Sequence, residues 1–148
     1  MSAFPQDRLE RYGAFVLRIT LGGILLAHGL LKVLVFTLPG TAEYFASLGL
    51  PGVLAYAVAA AEVGGGLLLL LGVASRWVAL AVQPVLLGAL WVHSGNGWLF
   101  SASGGGWEFP LVLVLLALSV SLLGNGAFVL RLPARLAWRR GKREVAPA

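Results

Sequence analysis

Four long apolar runs separated by short breaks constrain this chain more than any other feature. They extend over residues 12–38, 52–72, 77–94 and 109–123, the last being the shortest. Such runs approach the ~20 residues that an α-helix needs to cross a bilayer core. Inside lipid, every backbone N–H and C=O has to be bonded within the chain, so these runs fold as helices and not as open strands. The expectation is an all-α fold: an integral membrane four-helix bundle forming a single membrane domain over 1–148, with a short amphipathic helix in the first outer loop. Composition agrees. The chain is 59% hydrophobic and only 11% charged, more apolar surface than a soluble domain of this size can hide.

The breaks have recognisable chemistry. Pro39 and Gly40 close the first run, and residues 41–48 read as the amphipathic helix with Thr41 as its N-cap. Residues 49–52 (GLPG) break it before the second run. Ala74, Ser75 and Arg76 form a tight turn. Residues 94–106 are rich in Gly and Ser and read as a mobile loop, and Gly124, Asn125 and Gly126 stop the last run. The first run is too long for the apolar core of a secretory signal and contains Arg18, His28 and Lys32, so it reads as a retained span.

Basic residues set the orientation. With four spans, Arg8, Arg11, Arg76, Arg131, Arg135, Arg139, Arg140, Lys142 and Arg143 fall on one side, and the opposite loops 39–51 and 94–106 contain no Lys or Arg. The positive-inside rule puts both termini in the cytoplasm and the chain in the cytoplasmic membrane. The net charge of +5 is concentrated in the tail over 129–148. Beside membrane spans, its natural partners are anionic inner-leaflet lipids and not nucleic acid. Residues 133–143 read either as a basic helix lying on that leaflet or as a solvated tail. Trp77 and Trp138 suit an inner aromatic belt, whereas Trp91, Trp98 and Trp107 gather at the outer side. The chain has no cysteine, which excludes a disulfide, a thiolate metal site and a dithiol relay within it.

Glu62 is the sole charge in the second run. A carboxylate at that depth is costly and needs a partner, a proton or a wet cavity. Arg18, His28 and Lys32 on the first run are the available partners. At ~100° per residue, Arg18, Gly22, Leu25, Gly29 and Lys32 share one helical face, with His28 at its margin. By depth, His28 matches Glu62 best, Lys32 reaches it through its long stem, and Arg18 has the alternative of snorkelling to the inner headgroups. His93, Asn96, Trp107 and Glu108 stand at the outer ends of the third and fourth runs. Together with His28, Lys32 and Glu62 they outline one cavity open to the outer leaflet. Deeper in the third run, Pro84 follows Gln83 and kinks the helix. Ala57, Ala61 and Gly65 form a small-residue ridge suited to close helix contact, and Gly64, Gly65 and Gly66 read as packing rather than a phosphate loop.

Each residue also has a plainer reading. Glu62 can serve as half of an ion pair that fixes helix register, His28 as a packing histidine, and His93 and Glu108 as ordinary interfacial polar groups. No metal site is indicated, because the histidines and glutamates come from four helices without ligand spacing. No haem axial pair is indicated either, since His28 and His93 differ in depth.

Residues 18–32 (RITLGGILLAHGLLK), residues 45–51 (FASLGLP), Glu62 with the Gly and Leu stretch to Gly72, Asn96 with Gly97, and residues 107–110 (WEFP) together resemble the DoxX/DoxD-like family of small four-helix membrane proteins. The resemblance covers nearly all of residues 12–128 through order and spacing. It implies a membrane bundle with a shared polar core at Arg18, His28, Lys32, Glu62 and Glu108. It also implies redox association, some members being subunits of a membrane thiosulfate:quinone oxidoreductase. The leading expectation is a redox-associated membrane subunit that binds a quinone-like or other small lipophilic ligand, working with a partner redox subunit or as a homo-oligomer. In that reading Glu62, His28 and Lys32 are the reacting polar core, and Arg18, His93, Asn96, Trp107 and Glu108 contribute to ligand binding. The alternatives are a non-enzymatic assembly or scaffold partner and a small-solute or proton pathway formed by an oligomer.

Overall fold

The computed structural model describes residues 6–130; the tail with Trp138 and the basic cluster from Arg131 to Arg143 lies outside the described residues. Five α-helices follow in order: α1 (Gln6–Leu30), α2 (Leu38–Ser47), α3 (Val53–Leu71), α4 (Ser75–His93) and α5 (Glu108–Leu123). A π-helical turn over Leu31–Val35 prolongs α1, and a 3₁₀ turn over Ser94–Asn96 prolongs α4. Among the described residues there is no strand.

Three of these helical stretches are long and apolar enough to cross a membrane: Gln6–Val35, Val53–Leu71 and Ser75–Asn96. At a rise of ~1.5 Å per residue, the nineteen residues of α3 span roughly 28 Å, close to a bilayer core of ~30 Å. The sixteen residues of α5 span roughly 24 Å. The helices present large apolar side chains outward, among them Leu34, Val53, Trp77 and Leu122.

Periodicity explains which face of α1 turns inward. Ala14, Arg18, Leu21, Gly22, Leu25 and Gly29 are its buried residues, the stripe that repeats every three to four positions. That face packs on α3, while α4 packs on α5, and the two pairs share a core of Leu21, Leu25, Leu69, Ala79, Val82, Leu86, Leu113, Ala117 and Val120. The α1–α3 contact is tight because glycines allow it. A Cβ at Gly66 would lie 2.7 Å from Leu26 N and 2.8 Å from Gly22 O, and one at Gly29 would lie 2.9 Å from Val63 N. Of the expected ridge of Ala57, Ala61 and Gly65, Gly65 does make a close helix contact, but with α4, where a Cβ would lie 2.8 Å from Val82 Cγ1; Ala57 and Ala61 instead line a groove. Residues on both faces of α3 are small, so spacing alone does not separate seam from groove.

The end of the first run also differs from expectation. The helix breaks at Thr37 (φ 61°, ψ 154°), which caps α2 by accepting a hydrogen bond from Gly40 N at 3.2 Å. Pro39 then sits in the first turn of α2, where its missing N–H costs nothing. Thr41, expected as the cap, is buried and donates from Oγ1 to Thr37 O at 2.8 Å.

Candidate functional site

The site begins at a change of helical pitch. Lys32 is the second residue of the π turn, a local widening often found at functional positions. Glu62 lies midway along α3 and is 7% exposed. Gly29, one turn before Lys32, brings the two backbones close, since a Cβ there would lie 3.0 Å from Glu62 Cβ. Lys32 Nζ donates to Glu62 Oε1 at 2.9 Å and stands 2.8 Å from Oε2. Oε2 is buried and is held by the Lys32 ammonium as an ion pair, outside hydrogen-bond geometry.

Two cavities meet at this pair. The larger, about 990 Å³, is a groove between α2, α3 and α4. Its walls are mainly apolar, with Tyr44, Phe45, Leu54, Ala57, Ala61 and Trp91 among them, and His28, Lys32, Glu62 and His93 supply its polar end. The smaller, about 230 Å³, lies between α1, α4 and α5, beneath the loop that joins α4 to α5. His28, Lys32, Glu62 and His93 line it as well. The His28 ring lies 5.8 Å from that of Phe109. His93 Nδ1 is 2.8 Å from Ala89 O; a carbonyl only accepts, so Nδ1 carries the hydrogen and Nε2 is left as the acceptor.

Asn96, Trp107 and Glu108 build the loop above the smaller cavity. Asn96 Nδ2 donates to Gly104 O and Gly105 O at 2.9 and 3.0 Å. Glu108 Oε1 accepts from Phe100 N at 2.7 Å. Trp107 N and Glu108 N donate to Gly97 O and Trp98 O, and the Trp98 and Trp107 rings meet edge to face at 4.5 Å. The Gly- and Ser-rich connection, expected as a mobile loop, is thus tied along its length. Its composition signals a tight backbone path: a Cβ at Gly106 would fall 2.1 Å from Leu99 O.

Arg18 stands apart from both cavities. It is wholly buried near the C-terminal end of α3, about 10 Å from Glu62 by helical rise. Nη1 donates to Leu69 O, and to Leu70 O at 3.1 Å; Nη2 donates to Ala127 O and Phe128 O at 2.9 and 3.0 Å. The last carbonyls of a helix lack intrahelical partners and carry the negative end of its dipole, so a guanidinium fork suits them. Arg76 plays the same part for α5, donating to Leu122 O at 3.0 Å. Sequence reasoning did not single out Arg76 as a cap; its place opposite a Gly-Asn-Gly helix stop was the available signal. Nor did it find the groove-lining residues Tyr44, Phe45 and Pro84, which become neighbours only once α2 folds back over α3.

Together these features define a membrane protein that is helical throughout its described residues apart from turns and loops, with a part-buried ion pair joining two of its helices. Comparison with known proteins narrows the class. The chain belongs to the DoxX family, whose model matches residues 13–95, the stretch that carries Arg18, His28, Lys32, Glu62 and His93. It is also 34% identical over 113 residues, covering 76% of this chain and 80% of the other, to the Bacillus subtilis (strain 168) protein named "Putative oxidoreductase CatD". No solved structure matches significantly.

Proposed function

We propose that this DoxX-family protein is a redox-associated membrane subunit that binds a quinone-like, lipophilic ligand in the groove between α2, α3 and α4. The observation that carries the reading is the groove itself: an apolar trough of about 990 Å³ that ends on the Lys32–Glu62 pair. Pockets of this size take drug-sized ligands, with apolar walls burying the body and a few polar groups fixing one end. An isoprenoid or alkyl tail lies along Tyr44, Phe45, Leu54 and Ala57. Lys32 Nζ and a His28 ring N–H donate to a carbonyl oxygen of the head. When that head is reduced, two electrons arrive from a partner redox subunit, and two protons are taken up on the carbonyl oxygens, one of them through Glu62. The oxidoreductase name of the Bacillus relative supports the redox association.

In this reading α5 is the fourth span, closing a four-helix membrane bundle, and α2 lies at the outer surface. The basic residues Arg8, Arg11 and Arg76 favour cytoplasmic termini in the cytoplasmic membrane.

The test is an equilibrium titration of the protein in lipid nanodiscs with a short-tailed benzoquinone. Saturable binding is expected, weakened about tenfold or more, or ~1.4 kcal/mol, by Lys32→Met and by Glu62→Gln. Absence of saturable binding, or binding indifferent to both changes, contradicts the proposal.

A further inference from the structure

We propose that the smaller cavity is a water-filled entrance that carries protons from the loop side of the molecule, past His93, to Glu62. This rests on the reading of Glu62 as the proton-handling group, and it gives protons a path separate from the groove by which a lipophilic ligand arrives.

Three observations carry it. First, the cavity holds about 230 Å³, well above the ~10–15 Å³ that one water requires. Its polar groups converge from three sides: His28 from α1 and Lys32 from the π turn after it, Glu62 from α3 and His93 from α4. α5 contributes only Phe109, Pro110 and Leu113, none of which titrates. Second, the Glu62 side chain lines the cavity; its Oε2 is paired with Lys32 Nζ at 2.8 Å but not in hydrogen-bond geometry, so this carboxylate keeps acceptor capacity that its one ammonium partner does not fill. Third, the roof is held in place. Gly105 and Gly106 line it, and Asn96 ties the carbonyls of Gly104 and Gly105. The His93 ring lies directly beneath, for a Cβ at Gly105 would stand 3.1 Å from its Cδ2 and 3.5 Å from its Nε2. With Nδ1–H fixed on Ala89 O, Nε2 is the free acceptor. It takes a proton from water at the loop, becomes an imidazolium, and returns the proton to the cavity water beside the Glu62 side chain. Atoms and charge balance over the transfer, and the ring regains its tautomer.

The test exploits the absence of cysteine from this chain. Single variants Leu113→Cys and Ile24→Cys place a thiol in the smaller cavity and Glu62→Cys one where the two cavities meet, while Ala57→Cys lies in the groove and Leu115→Cys faces outward. The full chain, reconstituted without any quinone, is exposed to Ag⁺, a small ion that travels only through water, and the remaining thiol is then labelled after denaturation. Cavity thiols are expected to be blocked at least tenfold faster than those at positions 57 and 115. Adding His93→Trp to Glu62→Cys slows the blocking at least tenfold, whereas adding His93→Ala does not. Equal rates at all positions overturn the entrance, and rates indifferent to His93→Trp overturn the route past His93. Leu113→Cys and Ile24→Cys keep the test decisive should Glu62→Cys fail to fold. Because no ligand is present, this result is independent of the quinone titration: either idea can fail while the other stands.

Discussion

Lys32 Nζ lies 2.9 Å from Glu62 Oε1 and 2.8 Å from Oε2, joining the π turn after α1 to the middle of α3. The pair stands where the two cavities meet, so changes to it are expected to register both in stability and in the proposed ligand binding.

Removing one partner leaves the other charge uncompensated. Lys32→Met is expected to destabilise the protein by about 1–3 kcal/mol, below the range for a broken fully buried pair because this one is part-buried. The double variant Lys32→Met with Glu62→Gln should recover part of that loss. Unfolding in mixed detergent measures both. A double variant less stable than either single one contradicts the pairing.

The glycine run on α3 gives a contrast between neighbours. A Cβ at Gly64 meets nothing within 4 Å, whereas one at Gly66 meets Leu26 N at 2.7 Å. Gly64→Ala should be neutral or stabilise by up to about 1 kcal/mol through helix propensity. Gly66→Ala should destabilise by roughly 1–3 kcal/mol, because backbone cannot yield as a side chain does. Thermal unfolding of the two variants side by side decides it.

Arg18 is expected to matter for folding and not for ligand affinity. Its fork joins the end of α3 to Ala127 and Phe128 after α5. Hydrogen bonds to a charged group contribute about 1.5–3 kcal/mol each, so Arg18→Gln should lower the unfolding temperature sharply. Arg18→Lys should recover little, since an ammonium lacks the two-armed geometry. Quinone titration of the folded fraction should match that of the unaltered chain; a tenfold weaker affinity would return Arg18 to the site.

Thr37 holds φ 61° and ψ 154°, a conformation that only glycine adopts without strain. Thr37→Gly gives up a cap at a cost of a few tenths of a kcal/mol and relieves about 1 kcal/mol or more of strain. Net stabilisation is expected, read as a raised unfolding midpoint. A loss of stability would show that the hydroxyl contact to Gly40 outweighs the strain.

The helical class and most helix positions were legible in the sequence because apolar length and glycine breaks are local signals. The inward stripe Arg18–Gly22–Leu25–Gly29 was legible for the same reason: period alone places it on one face, and those residues are buried. The partner of Glu62 was legible in part. Depth put His28 level with Glu62, and Gly29 beside it does pack on Glu62; Lys32, one turn further on, makes the contact through its long stem, one of the two options the spacing allowed. The groove was not legible. It depends on α2 folding back over α3 and on a sparse α3–α4 contact, both of which are properties of the whole bundle.

Photo-crosslinking tests the central claim most directly. A benzoquinone bearing a diazirine at the end of its tail is bound to the protein in lipid nanodiscs, irradiated, and the modified residues mapped. The account predicts adducts confined to the groove wall, on Tyr44, Phe45, Leu48, Leu54 and Ala57, and lost in the presence of excess unlabelled quinone. Adducts scattered over outward-facing residues such as Leu115 and Leu122, with no competition, would contradict it.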